Sequence, residues 1–160
     1  MGRYVPLTDQ AVERWDQPAI EEAEGLLRAA SALAAPARFQ LEAAVQSAHA
    51  ARRLTGTTDW EAIAVLYDAL FSLTASPVVA VNRAVAVAHA RGPAAGLQLL
   101  DEVGAKSELA GFEPYWVARA DLCAKLGEVA AARSAYSLAI GLQTDPAARA
   151  FLIERLAALA

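Results

Sequence analysis

YWVARADLCAKLGEVAAARSAYSLAIGLQTDP, residues 115–146, decides the fold class. Apolar residues recur at helical spacing on both sides of Leu126-Gly127, and strand alternation is almost nowhere to be found. Gly127 closes a turn between two helices. Trp116 is the early large residue of the first helix, and Ala120 is the small residue where the helices cross. Ala132, Tyr136 and Ala139 form a small, large, small series on the second. Small residues let helices approach closely, and large ones fill the holes between turns. The stretch therefore reads as one antiparallel helix pair.

The same grammar extends in both directions. Proline and glycine punctuate the chain at Pro18, Pro36, Gly56, Pro77, Gly92-Pro93, Gly111, Pro114, Gly127 and Pro146. The spacing predicts a short helix from a Thr8-Asp9 cap through Trp15, then an acidic helix from Pro18 to about Leu33. Further helices are predicted over 37–53, 59–73, 77–90, 93–103, 113–126, 128–142 and 146–159. Asp59, Ser76-Pro77 and Asp145-Pro146 are start signals, and GAKSELAGF (104–112) is the longest well-marked break.

The segments pair as 37–53 with 59–73, 77–90 with 93–103, and 113–126 with 128–142. The frames AVQSAHAAR (44–52) and AVAVAHAR (84–91) place His49 and His89 40 residues apart. The first-helix ends at 90–92 and 125–127 are 35 apart, and the inserted LTGTT (54–58) explains the longer first spacing. A helix-turn-helix unit of about 34 residues is the tetratricopeptide (TPR) period. In the weaker second pair, Gly96 or Leu97 takes the small position; in the first, Trp60 and Tyr67 are the bulky anchors. Residues 147–159 carry Phe151, Leu152, Leu156 and Leu159 on one face, as a capping helix would. The expected fold is all-α: a TPR-like right-handed solenoid of antiparallel helix pairs with a C-terminal capping helix. Residues 1–35 form an acidic helical segment packed on a repeat domain over 36–160, as one structural unit.

Composition narrows the function. Apolar residues make up 56% of the 160 and charged residues 20%, which excludes a disordered chain. Net charge is −4, with Asp9, Glu13, Asp16, Glu21, Glu22 and Glu24 crowded near the start. Arg52-Arg53 is the only adjacent basic pair, so no basic stripe is present to hold a phosphate backbone, and direct DNA binding is not expected. The single Cys123 rules out an internal disulfide and fits a reducing cytosol. No apolar run reaches the about 18 residues of a membrane span, and no signal-peptide pattern opens the chain. The start Met1-Gly2 fits a piece of something longer.

Four phrases carry a closer likeness: DQAVERWDQPAIEEAEGLL (9–27), ARFQLEAAVQSAHA (37–50), TDWEAIAVLYDALFSLTASPVVAVNRAVAVAHARGPAAGLQLLDEV (58–103) and ARADLCAKLGEVAAARSAYSLAIGL (118–142). Together they resemble the TPR-like C-terminal extension of a group of extracytoplasmic-function (ECF) sigma factors, members of the sigma-70 family. The specific element is SPVVAVNRAVAVA followed by GPAAGL; Phe39, where the family often has tyrosine, and the wording of 9–16 are mild departures. The resemblance implies a regulatory protein-interaction domain of a bacterial transcription initiation factor, in the cytoplasm. Its implied partners are the sigma regions of the same full-length protein, core RNA polymerase or a regulatory protein. Separately, a truncated solenoid end would expose apolar surface through which a homodimer could form. The alternative is a freestanding TPR scaffold that binds a peptide or protein without a role in transcription.

The repeat alignment turns one set of side chains toward a common groove: Glu42, Gln46, His49, Asn82, His89, Asp121 and Lys125. Arg83 joins them through the family phrase, since the Asn82-Arg83 pair that interrupts VVAVNRAVAVA either faces the groove or contacts the neighbouring unit. For the histidines the competing reading is plain surface or satisfied core; for Asp121 and Lys125 it is a surface i,i+4 pair. Two histidines without HxxxH or HExxH spacing do not read as a metal site. Trp15, Trp60 and Trp116 read as core anchors, and Cys123 as a small buried hydrophobe. No nucleophile-base pair, paired catalytic carboxylates, P-loop or GxGxxG is present, so neither an enzyme nor a cofactor is expected.

Overall fold

Nine α-helices succeed one another along a computed structural model that describes residues 2–33, 37–106 and 108–159. They are α1 (Gln17–Ser31), α2 (Arg38–Ala50), α3 (Arg52–Thr55), α4 (Trp60–Thr74), α5 (Pro77–Arg91), α6 (Pro93–Lys106), α7 (Glu113–Lys125), α8 (Val129–Leu142) and α9 (Pro146–Ala157). Among the described residues there is no strand. Pro36 and the expected boundary between residues 35 and 36 lie outside the described residues.

The starts have side-chain causes. Asp16, Asp59 and Asp145 each accept a hydrogen bond from the backbone amide three residues on, at 3.0, 2.9 and 2.8 Å. Ser76 stands at the start of α5 without such a bond, and the adjacent proline alone sets that entry. Gln40 reaches back to the Ala37 amide at 2.8 Å and donates to the Ala30 carbonyl at 2.8 Å, tying α1 to α2.

Three boundaries differ from the sequence reading. The single helix through Trp15 is instead two 3-10 turns, Leu7–Asp9 and Val12–Arg14. The Arg52 guanidinium takes the carbonyls of Leu7, Thr8 and Gln10, which a continuous helix would need as acceptors. The segment over 37–53 continues through α3 until Gly56, whose left-handed φ of 74° stops it. The break expected over 104–112 is shorter, because α6 continues to Lys106.

The three predicted pairs all form: α2 packs on α4, α5 on α6, and α7 on α8. Neighbouring pairs join through α4 on α5, α6 on α7 and α5 on α7, while α9 packs on α8 and α1 on α2. Small residues make the crossings close. Ala120, Ala132 and Ala139 are fully buried between α7 and α8, with Tyr136 beside them. Gly96 settles the choice left open in the second pair: its Cα faces Ala84 and Ala88 on α5. Leu152 is buried against α8, and Phe151, Leu156 and Leu159 pack around it, so α9 closes this core.

Helix α5 is central. It buries Val79, Ala80, Val81, Ala84, Ala86, Val87 and Ala88 because α4, α6 and α7 surround it. That explains a helix apolar almost all round. One junction is left open: α2 packs on α4 but not directly on α5.

Candidate functional site

The open junction is a cleft of about 610 Å³. Arg38, Glu42 and Gln46 come from α2, Tyr67 from α4 and Asn82 from α5, over an apolar floor that includes Val45, Leu70 and Val79. Arg38 and Glu42 pair across one helical turn at 2.7 Å. Asn82 also borders a second hollow of about 340 Å³ between α5, α7 and α9, together with Val85, Val117 and Asp121. Glu42, Gln46, Asn82 and Asp121 therefore lie along one side of the molecule, with Asn82 shared by both clefts. Tyr67, read from sequence as a packing anchor, is also a cleft residue; half-buried, its phenol is pushed upward by desolvation.

The other four expected residues lie elsewhere. Arg83 turns away from both clefts, because consecutive helical residues are about 100° apart. It pairs with Asp68 on α4 and lies 5.8 Å from the Phe71 ring centre. There it borders a hollow of about 230 Å³ with Leu99 and Val103.

His49 and His89 line neither cleft. They flank Trp60. The His49 ring meets it edge-on with centroids 5.4 Å apart, and the His89 ring stacks on it at 3.9 Å and 10°. The matching sequence frames thus place two imidazoles at the same ends of α2 and α5, with the first side chain of α4 between them. Trp60 still packs against the core around Ile63, Ala64 and Val87. Among the described residues no group of three or more His, Cys, Asp or Glu could hold a metal ion.

Desolvation lowers the pKa of both histidines; Arg52 adds to the effect at His49, and Lys125 at His89, where Asp121 partly opposes it. The unfolded chain then binds protons near pH 6.5 that the folded chain refuses, so stability falls as pH drops below that value. We expect a lower melting temperature at pH 5.5 than at pH 7.5. A His49→Gln/His89→Gln variant should show a flatter profile over the same interval. An unchanged slope in that variant would assign the pH dependence to other groups.

The competing reading of Asp121 and Lys125 as a surface i,i+4 pair does not hold, because Asp121 pairs with Arg155. It accepts from the Tyr136 hydroxyl and from Arg155 at 3.0 Å, while Arg155 also donates to the Tyr136 oxygen at 3.3 Å. Burial, reinforced by the bond to Asp121, pushes the Tyr136 phenol up to about 12. Lys125 is exposed at the end of α7. Cys123 is fully buried, and desolvation raises its thiol pKa.

Of the six early acids, Glu24 forms an ion pair. Arg53 grips its carboxylate at 3.0 and 3.2 Å and holds it below the usual carboxylate range. Both side chains are largely covered, so this pair seats α1 on the rest. The others are exposed, apart from the capping role of Asp16. Trp116 is a core anchor as expected, whereas Trp15 is half-buried under the Arg52 guanidinium, 5.2 Å from its ring centre. Tyr4, Arg52 and Arg155 went unread as site residues. Only Arg52 left a sequence signal, as half of the single basic pair.

Among the described residues no helix is long and apolar enough to cross a membrane. No protein-family profile matches the chain. No solved structure matches it either. Over 151 residues the chain is 38% identical to an uncharacterized protein of Rhizobium meliloti (strain 1021). The match takes in 94% of this chain and 35% of that protein, so the chain spans about a third of the length of the curated relative it matches.

Proposed function

We propose that this chain is a TPR-like, right-handed helical solenoid capped by α9 that recognises protein partners along the side formed by α2, α5 and α7. The observation that carries this reading is the alignment of Glu42, Gln46, Asn82 and Asp121 along two adjoining clefts with apolar floors. Polar side chains over an apolar floor suit a peptide, whose backbone needs hydrogen bonds while its side chains seek burial. On the resemblance of its phrases, the domain belongs to the regulatory C-terminal extension of an ECF sigma factor. The long remainder of the relative fits a module of a larger protein. Occupancy of the clefts would bias that protein between competent and silent states of transcription initiation. Promoter DNA is read by other regions, in the bacterial cytoplasm, and this domain touches the sigma regions, core RNA polymerase or a regulatory protein. At the opposite end, exposed Leu26, Leu33 and Phe39 favour self-association.

The test is calorimetric titration of the domain with the sigma regions of its full-length protein, at two salt concentrations. Saturable binding that is salt-insensitive and at least tenfold weaker for a Glu42→Lys/Asn82→Arg variant is the expected result. Binding that collapses with salt would transfer the contact to the acidic residues 9–24. No saturation near a domain concentration of about 100 μM, or about −5.5 kcal/mol, would overturn the contact with sigma regions and favour the freestanding scaffold or another partner.

A further inference from the structure

Residues 2–10 run in an unusual way. Residues 3 and 4 lie against α9: the Tyr4 and Phe151 ring centres are 5.2 Å apart, and Arg3 pairs with Glu154 at 3.7 Å. Tyr4 borders the hollow between α5, α7 and α9 beside Val81, Val85 and Val117. A few residues later, Arg52 at the start of α3 holds the carbonyls of Leu7 and Gln10 at 3.1 and 2.9 Å, and that of Thr8. The segment thus passes from the last helix pair to the first.

The segment is held there as a bound peptide would be. It has no helix at residues 2–6, and Pro6 has the φ of −54° and ψ of 151° of a polyproline backbone. Side chains at one end and captured carbonyls at the other provide its anchors. Its seat is shallow, with Tyr4 and Val5 each more than two-fifths exposed. A shallow seat can be vacated. The charge on the receiving side is also distinctive: Glu113 and Glu154 stand at the hollow and its edge around an apolar centre, while Asp121 is already paired with Arg155. An acidic rim around an apolar seat matches a cation next to an aromatic ring, the arrangement of Arg3-Tyr4.

We propose that the hollow between α5, α7 and α9, with the adjoining edge of α9, is a binding site for an extended peptide bearing a basic residue followed by an aromatic one, and that Arg3-Tyr4 of this chain lies along its border until such a partner displaces it. The inference rests on reading this side of the molecule as a recognition surface, and it holds whichever protein the domain serves. A tethered segment competes at an effective concentration of about 1 mM, so its removal should raise the apparent affinity for an outside peptide.

The experiment uses a fluorescent, N-acetylated peptide of residues 2–10 as probe, with anisotropy read against the full chain. The receiving chains are the parent and an Arg3→Ala/Tyr4→Ala variant, whose changes fall on exposed side chains outside the core. We expect the variant chain to bind the probe at least tenfold more tightly than the parent. A probe carrying Tyr4→Ala should bind the variant chain at least tenfold more weakly than the native probe, a comparison made on one and the same receiving chain. Equal binding by both chains, no saturation of the variant by about 1 mM chain, or equal binding of the two probes would each overturn the proposal. Failure here with saturable binding of sigma regions would remove the self-occupied hollow and leave the proposed function standing. The converse pattern would do the opposite.

Discussion

Replacing Gly96 by valine is expected to destabilise the fold by about 3 kcal/mol, and by alanine about 1–2 kcal/mol. A Cβ built at Gly96 would sit 2.6 Å from the Ala84 carbonyl oxygen and 3.1 Å from the Ala88 Cα, and would overlap the Ala88 Cβ. Two of those three atoms are backbone of α5, which is enclosed by three helices and cannot retreat. Alanine contributes about 1 kcal/mol of helix propensity over glycine, which offsets only part of the overlap. Gly25→Ala in α1 is the matched control. Its nearest neighbour is the end of the flexible Arg28 side chain at 4.0 Å, so the same change should stabilise by about 0.5–1 kcal/mol. Urea midpoints at unchanged m-values read both effects. If the two alanine variants shift in the same direction, α5 and α6 do not touch at Gly96.

Tyr136→Ala should cost about 3–5 kcal/mol, the range for truncating a buried aromatic side chain to a cavity. Tyr136 is 1% exposed within the core shared by α7, α8 and α9, so its ring joins the third pair to the capping helix. Tyr136→Phe separates packing from polarity. It keeps the ring and loses the bond to Asp121, at a cost of about 1 kcal/mol. Asp121 retains Arg155 and remains half-exposed, so phenylalanine leaves no stranded charge. A phenylalanine variant as unstable as the alanine one would show that the Asp121–Tyr136–Arg155 network, and not the ring, holds α9 in place. Denaturant unfolding of the three proteins decides between the two.

The helix starts were legible because they depend on a few neighbouring atoms. Asp59 was read as a cap and accepts from the Ala62 amide; Pro77 and Pro146 open helices where their missing N–H costs nothing. Ser76 shows the limit of that reasoning, since the right residue type stands at the right place without making the bond. The small positions were equally legible in the third pair, where alanines flank a tyrosine at helical spacing. In the second pair two residues satisfied the pattern, and only the close approach of α5 chose Gly96 over Leu97.

The site divided along the same line. Glu42, Gln46, Asn82 and Asp121 reach the clefts because helical periodicity fixes which face each shares with its neighbours. Of the two readings open for Arg83, groove or neighbouring pair, the second holds: one step around the helix from Asn82, it pairs with Asp68 on α4. The histidines were correctly paired by their frames, yet the residue that joins them, Trp60, belongs to a different helix.

By itself, then, the sequence determined an all-helical chain, its helix pairs and the periodic faces of each helix, because turn signals, caps and 3.6-residue periodicity are local properties. Only the tertiary structure decided what depends on residues distant in the chain. It opened the cleft between α2 and α5, bracketed Trp60 with two imidazoles, joined Asp121 to Arg155, and brought Tyr4 against Phe151. Each of these follows from how whole helices stack, and no local pattern encodes the separation or angle at which they do so.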